Sequence, residues 1–153
     1  MIFRKAQQDD IDAISKLLIV LVKKYIVSSC SGVGGELILA SMTPDAIKKY
    51  FDSGYQYHVA EDDGAVVGVV GMKNNSHLYH LFIADPQQGL GLSRTLWEIA
   101  RDECLANGNT GMFTVNSALN AQNVYLKFGF KPIDGIREKF GIKDIPMTLD
   151  LYG

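Results

Sequence analysis

Cysteine is scarce in this chain. Only Cys30 and Cys104 occur; two residues without a framework or a metal-ligand spacing read as reduced thiols. Charge of one sign is lacking too. The formal net charge is −2, so nothing steers the chain toward nucleic acid or an anionic membrane. The longest apolar run, residues 17–22, falls far short of the ~20 residues that cross a bilayer. No basic-then-apolar leader opens the sequence, and a cytoplasmic location is the default expectation. What remains fits an ordinary folded protein. Apolar content of 47% with 21% charged residues argues against disorder. A length of 153 residues suffices for one domain, 1–153, with a real core.

The most informative stretch is residues 76–107. Its first eight residues, S-H-L-Y-H-L-F-I, read as a strand without a breaker. Ala84-Asp85-Pro86 ends it. From Leu92 on, Leu96, Ile99, Ala100 and Leu105 follow helical spacing. Between lies Gln88-Gly89-Leu90-Gly91-Leu92-Ser93. A strand that turns through glycines into a helix start offers unpartnered N–H groups and the positive end of the helix dipole, which together suit a phosphate. Two nucleotide readings fit poorly. A P-loop needs Gly-Lys, and no Lys occurs here. A dinucleotide fingerprint needs a third glycine where Arg94 stands, and an acidic residue some 20 positions on, where Asn109, Thr110 and Asn116 occur instead.

The pattern Gln/Arg-x-x-Gly-x-Gly/Ala after a strand, here Gln88, Gly91 and Ser93, resembles the acyl-CoA signature of the GNAT N-acetyltransferase superfamily. Ser in the last position is a small departure. A second run, N-S-A-L-N-A-Q-N-V-Y-L-K-F-G-F, is similar to the family's later motif, matching it at Asn116, Ala121, Tyr125, Gly129 and Phe130. It departs at Ala118, where many members carry Ser or Asn. The resemblance implies an α/β fold: a mixed, mainly antiparallel sheet with a splayed central strand and flanking helices.

The rest of the chain agrees in layout. Residues 2–6 read as a first strand. Asp9 or Asp10 caps a helix whose face is Ile11, Ile14, Leu18, Leu21 and Tyr25. Residues 28–35, rich in Ser and Gly, read as a mobile connection, with a second helix from Glu36. Thr43 with Pro44 starts a third helix through Phe51. Residues 55–61 and 65–72 form a hairpin through Asp62-Asp63-Gly64, and Asn74-Asn75 turns into the central strand. Gly68 and Gly71 suggest bends or close backbone approach. Further strands are expected at 111–116, 131–133 and 145–151, with a helix ending at Gly129.

The resemblance implies acetyl transfer from acetyl-CoA to an amine of a small molecule or peptide. It places the diphosphate on the main chain of Gln88, Gly89, Leu90, Gly91, Leu92, Ser93 and Arg94, and the pantetheine arm along Leu81, Phe82 and Ile83, with Asn116 and Asn123 as side-chain partners. Tyr125 matches the family's general acid. His77 aligns with a position that often holds a Glu base, and His80 lies beside the arm; Glu61 or water are further options for the base. Three positions apart on a regular strand, the two histidines face opposite sides and would not share a metal, so no metal is expected. The family's terminal strand, here 145–151, often supports a homodimer. A non-catalytic acyl-CoA-binding module of the same fold is the alternative. Tyr55, Tyr57 and Tyr79 suggest an aromatic-lined site or a core cluster.

Overall fold

The computed structural model describes residues 1–153. In chain order the elements are β1 (Ile2–Lys5), α1 (Ile11–Tyr25), α2 (Gly34–Ala40), α3 (Pro44–Asp52), β2 (Gln56–Asp62), β3 (Ala65–Lys73) and β4 (His77–Ile83). They are followed by α4 (Leu92–Ala106), β5 (Met112–Ser117), α5 (Gln122–Phe128), β6 (Lys131–Pro132), β7 (Arg137–Lys139) and β8 (Ile142–Asp150). Local chemistry explains most boundaries. Asp10 accepts from the Gln7 N–H at 2.7 Å just ahead of α1. Thr43 accepts from the Ala46 N–H at the start of α3, with Pro44 in the first turn. The turns between β2 and β3 and between β3 and β4 put Asp63, Gly64, Asn74 and Asn75 at positive φ, the residue types such hairpin turns select.

The strands form one sheet in the order β1-β2-β3-β4-β5-β8-β6, with β7 also paired to β8. Every pairing is antiparallel except β4 with β5. That parallel pair is short: only His77↔Thr114 and Leu78↔Val115 are in register. Beyond Leu78 the two strands part, and the β5-facing edge of residues 79–83 has no strand partner. The fold is the mixed sheet with a splayed central strand that the sequence implies.

Alternation along the strands sends side chains into two cores. On one face Val59 and Val69 pack with Ile14, Leu18 and Val22 of α1 and Ile47 of α3. On the other, Val70, Leu78 and Phe113 pack with Leu96 and Trp97 of α4 and Tyr125 of α5. Trp97 meets Phe113 edge-on at 5.1 Å between ring centroids.

Three expectations need correction. Residues 28–35 are not a mobile connection. Val27–Ser29 forms a 3-10 turn, the Ser31 N–H donates to the Gly141 carbonyl at 2.9 Å, and buried Gly34 lies directly against Gly141. That contact starts α2 at Gly34 rather than at Glu36. Strand β7 was not expected, because Arg137, Glu138 and Lys139 are all exposed and show no apolar alternation. Strand β8 begins at Ile142, ahead of the expected 145, because β7 pairs with its first residues.

Candidate active site

The parting of β4 from β5 opens a cleft of roughly 740 Å³. Its lining brings together β4, the turn into α4, the end of β5, the start of α5, the first residues of β8, and side chains from α1 and α2. Sequence-distant segments thus meet along one unpaired strand edge.

At the Ile83 end the main chain dominates. Gly89 and Gly91 sit at φ 84° and 80°, in the left-handed region that costs other residues roughly 1–2 kcal/mol. Gly91 stands at the N-cap of α4, and no side chain caps that helix. The N–H groups of Gln87 and Gln88 donate to Ala84 and Asp85 carbonyls. Those of Gly89, Leu90, Gly91, Leu92, Ser93 and Arg94 donate to nothing in the chain. This row of free donors at the positive end of a helix is an anion cradle. Gln88 belongs to it through its side chain, which donates to the Ile83 carbonyl at 3.1 Å and to Asp85 at 3.2 Å.

The cradle is braced from α1. Asp85 accepts from Lys24 at 2.5 Å and from the Tyr25 hydroxyl at 2.6 Å, and the Lys24 bond holds its carboxyl below the ordinary range. Asn120 donates to the Tyr25 carbonyl at 3.3 Å, so Tyr25 joins the turn before α4 to the turn before α5. Arg94 points away from the cleft lining; its guanidinium donates to the Lys127 carbonyl at 3.0 Å and lies over the Phe128 ring.

Tyr125 lines the cleft from α5 and is 7% exposed. Its hydroxyl has no hydrogen-bond partner in the chain, and burial raises its pKa well above that of an ordinary phenol. His80 is 3% exposed. Its Nδ1 is 2.8 Å from the Tyr57 hydroxyl, and burial pushes its pKa down to about 3. That pair depends on Gly71, since a Cβ there would strike the Tyr57 ring. His77 keeps its Nδ1 2.7 Å from the Thr114 hydroxyl. Burial and then Lys73 lower its pKa, while Asp144 pulls the other way.

The strand is not regular here. Gly71 pairs with His80 and Met72 with Leu78, which leaves Tyr79 as an extra residue in β4. The bulge breaks the alternation expected from a spacing of three, and both histidines line the same cleft. No group of three or more His, Cys, Asp or Glu is gathered to hold a metal ion.

The remaining expected residues divide. Leu81, Phe82, Ile83, Gly89, Gly91, Leu92, Ser93 and Asn116 line the cleft. The Asn116 side-chain oxygen accepts from Arg137 at 3.0 Å, so its amide nitrogen alone is free. Asn123 is exposed on α5 and lies outside the lining, as does Leu90. Glu61 is bound by Arg4 at 3.0 Å, away from the cleft. Of the tyrosines in question, Tyr79 lines the cleft whereas Tyr57 is core. Sequence reading missed Tyr25, Asn120, Leu37, Ile38, Lys143 and Asp144, all in the lining. None carries a local signal, because each reaches the cleft through tertiary structure.

The family model of the acetyltransferase (GNAT) domain matches residues 26–151. The chain belongs to the GNAT acetyltransferase family. As a GNAT domain it belongs among enzymes that transfer acetyl groups from acetyl-CoA. Solved GNAT structures share its fold along almost the whole length. A GCN5-related N-acetyltransferase from Rhodopseudomonas palustris superposes with a TM-score of 0.83 at 19% identity, over 98% of this chain and 95% of that one. The PaiA N-acetyltransferase of Thermoplasma acidophilum, solved in complex with coenzyme A, gives 0.78 at 16% identity, over 96% of each chain. A ribosomal-protein-alanine N-acetyltransferase from Brucella melitensis gives 0.70 at 18%, over 99% and 100%. Among curated protein sequences none matches this GNAT chain. No helix is long and apolar enough to cross a membrane.

Proposed function

We propose that this GNAT domain moves an acetyl group from acetyl-CoA directly to a primary amine of a small molecule or peptide, with Tyr125 as general acid. One observation carries the reading: the free N–H groups of Gly89, Gly91, Leu92 and Ser93, the unpaired edge of β4 and the unpartnered Tyr125 hydroxyl border a single cleft. The residues fit the cosubstrate. The 89–94 main chain would hold its diphosphate. The β4 edge at Leu81, Phe82 and Ile83 would take the extended arm as a strand takes a neighbour, and the Asn116 amide nitrogen would assist. Asn123, outside the cleft, would reach only its outer part. When bound, acetyl-CoA supplies the activated acetyl group.

The chain's own groups do the rest. A free N–H on the β4 edge stabilises charge that develops on the acetyl oxygen. His77 accepts the proton that the ammonium must lose, directly or through water. His80, held by Tyr57 and uncharged, fixes the polarity of the cleft wall beside the arm. Tyr125 stays protonated across the working pH range, because burial disfavours the phenolate. It is therefore available to protonate the departing thiolate.

The test has two parts. Calorimetry should show saturable binding of coenzyme A that weakens when Gly91 is replaced by a bulky residue. A thiol-release assay over a panel of amines should show turnover. One feature favours a second reading, an acyl-CoA-binding module without catalysis: both strand histidines are poorer bases than an exposed His. Binding without thiol release from any amine or peptide would favour that reading.

A further inference from the structure

Strand β4 gives the cleft a direction. The anion cradle lies beyond Ile83, and His77 lies at the opposite end, roughly 20 Å away at about 3.3 Å per residue. A cosubstrate held by the cradle fills the Ile83 end, so the acceptor approaches from the His77 end. The cleft wall apart from the cradle is mostly apolar: Leu37, Ile38 and Met42 come from α2 and its C-terminal turn and Ile142 from β8. That turn is tied toward Tyr79 through Tyr50, which donates to the Ser41 carbonyl and accepts from the Tyr79 hydroxyl.

Charge is nearly absent. Of all residues that line the cleft, Asp144 is the sole carboxylate and Lys143 the sole Lys or Arg. Asp144 is itself bound by Arg137, Nε to Oδ1 at 3.2 Å. Arg137 also reaches Asn116 at 3.0 Å, and Lys73 acts on His77 from the end of β3. Glu138 stands opposite Lys143 across β7 and β8 and is itself bound by the Ser31 hydroxyl, so both carboxylates near this end are already engaged.

We propose that the acceptor is a primary monoamine on an apolar body, an arylalkyl- or alkylamine, and not a polyamine or an aminoglycoside. The inference rests on the acetyl-transfer reading above. An amine that reacts must first lose its proton. A monoamine then lies in the cleft uncharged, and its apolar body is buried against α2. A polyamine or aminoglycoside keeps further ammonium groups after the reacting nitrogen is neutral. Burying those groups without carboxylates to meet them is costly.

The experiment is isothermal titration of the coenzyme A-loaded protein with phenethylamine, hexylamine, spermidine and kanamycin. The Kd of phenethylamine or hexylamine is expected to be at least about ten-fold lower than that of either polycation, the scale of discrimination an apolar pocket provides. Ile38→Asp, on the wall of α2, should narrow or reverse that ratio with an unchanged Kd for coenzyme A. Spermidine or kanamycin binding as tightly as the monoamines would overturn the proposal, and so would the absence of monoamine binding. Thiol release is read separately. A bound monoamine that releases no thiol would overturn the acetyl-transfer reading and leave the acceptor inference standing.

Discussion

At the Ile83 end of β4, the groups offered to a ligand are main-chain N–H donors from one contiguous turn. At the His77 end they are side chains drawn from α2, β7 and β8, residues far apart in sequence. The difference decides what a substitution can do. A site made of backbone is altered only by changing the path of the chain, which is why two glycines at positive φ control it. A site made of side chains changes residue by residue, and its selectivity can be altered while the fold stays intact. On the proposed reading, one end suits a fixed cosubstrate and the other an acceptor whose identity side chains select.

Substitutions can sharpen that contrast or break it. The largest effect is expected where the two ends meet. Tyr125→Phe should lower kcat by about 10²-fold or more, the usual scale of general acid catalysis, with coenzyme A binding unchanged by calorimetry. Turnover equal to wild type would remove the acid role. Next, Gly91→Trp should raise the Kd for coenzyme A by about ten-fold or more, because a non-glycine residue relaxes out of the left-handed region and takes the free N–H row with it, and binding must restore that strain; acceptor binding should stay in place. A titration identical to wild type would show that the cradle does not hold the diphosphate.

A third substitution tests the far end. Gly34→Val should cost about 2 kcal/mol, in the range for overpacking a tight contact, because its Cβ would overlap the Gly141 main chain. Thermal unfolding should fall by about 4–8 °C for a chain of this size. Acceptor KM should rise with little change in coenzyme A affinity. The smallest effect concerns pH. His77 must be neutral to accept a proton, and its pKa lies below the ordinary imidazole value because of burial and Lys73. Activity should persist as pH falls through the ordinary His range and be lost only below it. Lys73→Met should move that acidic limb upward, and His77→Ala should abolish it. A limb that stays in place in both variants would exclude His77 as the base.

Sequence legibility follows the same divide. The turn at Gln88, Gly91 and Ser93 could be read because glycine spacing and the switch from strand to helix are local features. The hairpin turns at Asp63 and Asn74 were legible for the same reason. Tyr125 came from a motif confined to one short run, residues 116–130. The bulge at Tyr79 was not visible, since nothing in H-L-Y-H announces an unpaired residue, and the two histidines were therefore assigned to opposite sides. Tyr25, Asn120 and Asp144 were missed because their roles depend on partners many residues away. The segment at 28–35 looked mobile from its Ser and Gly content, yet those small residues are what allow it to dock on Gly141.

That docking has a wider consequence. A side chain at Gly34 would strike the Gly141 main chain, and one at Gly141 the Ser31 carbonyl, so neither glycine tolerates a side chain while this crossing stays in place. Random single-site libraries will therefore return almost nothing at these two positions, and on the proposed reading retargeting to bulkier amines proceeds through Leu37, Ile38 or Met42. Only a lengthened loop that separates the two main chains would open either position to a side chain.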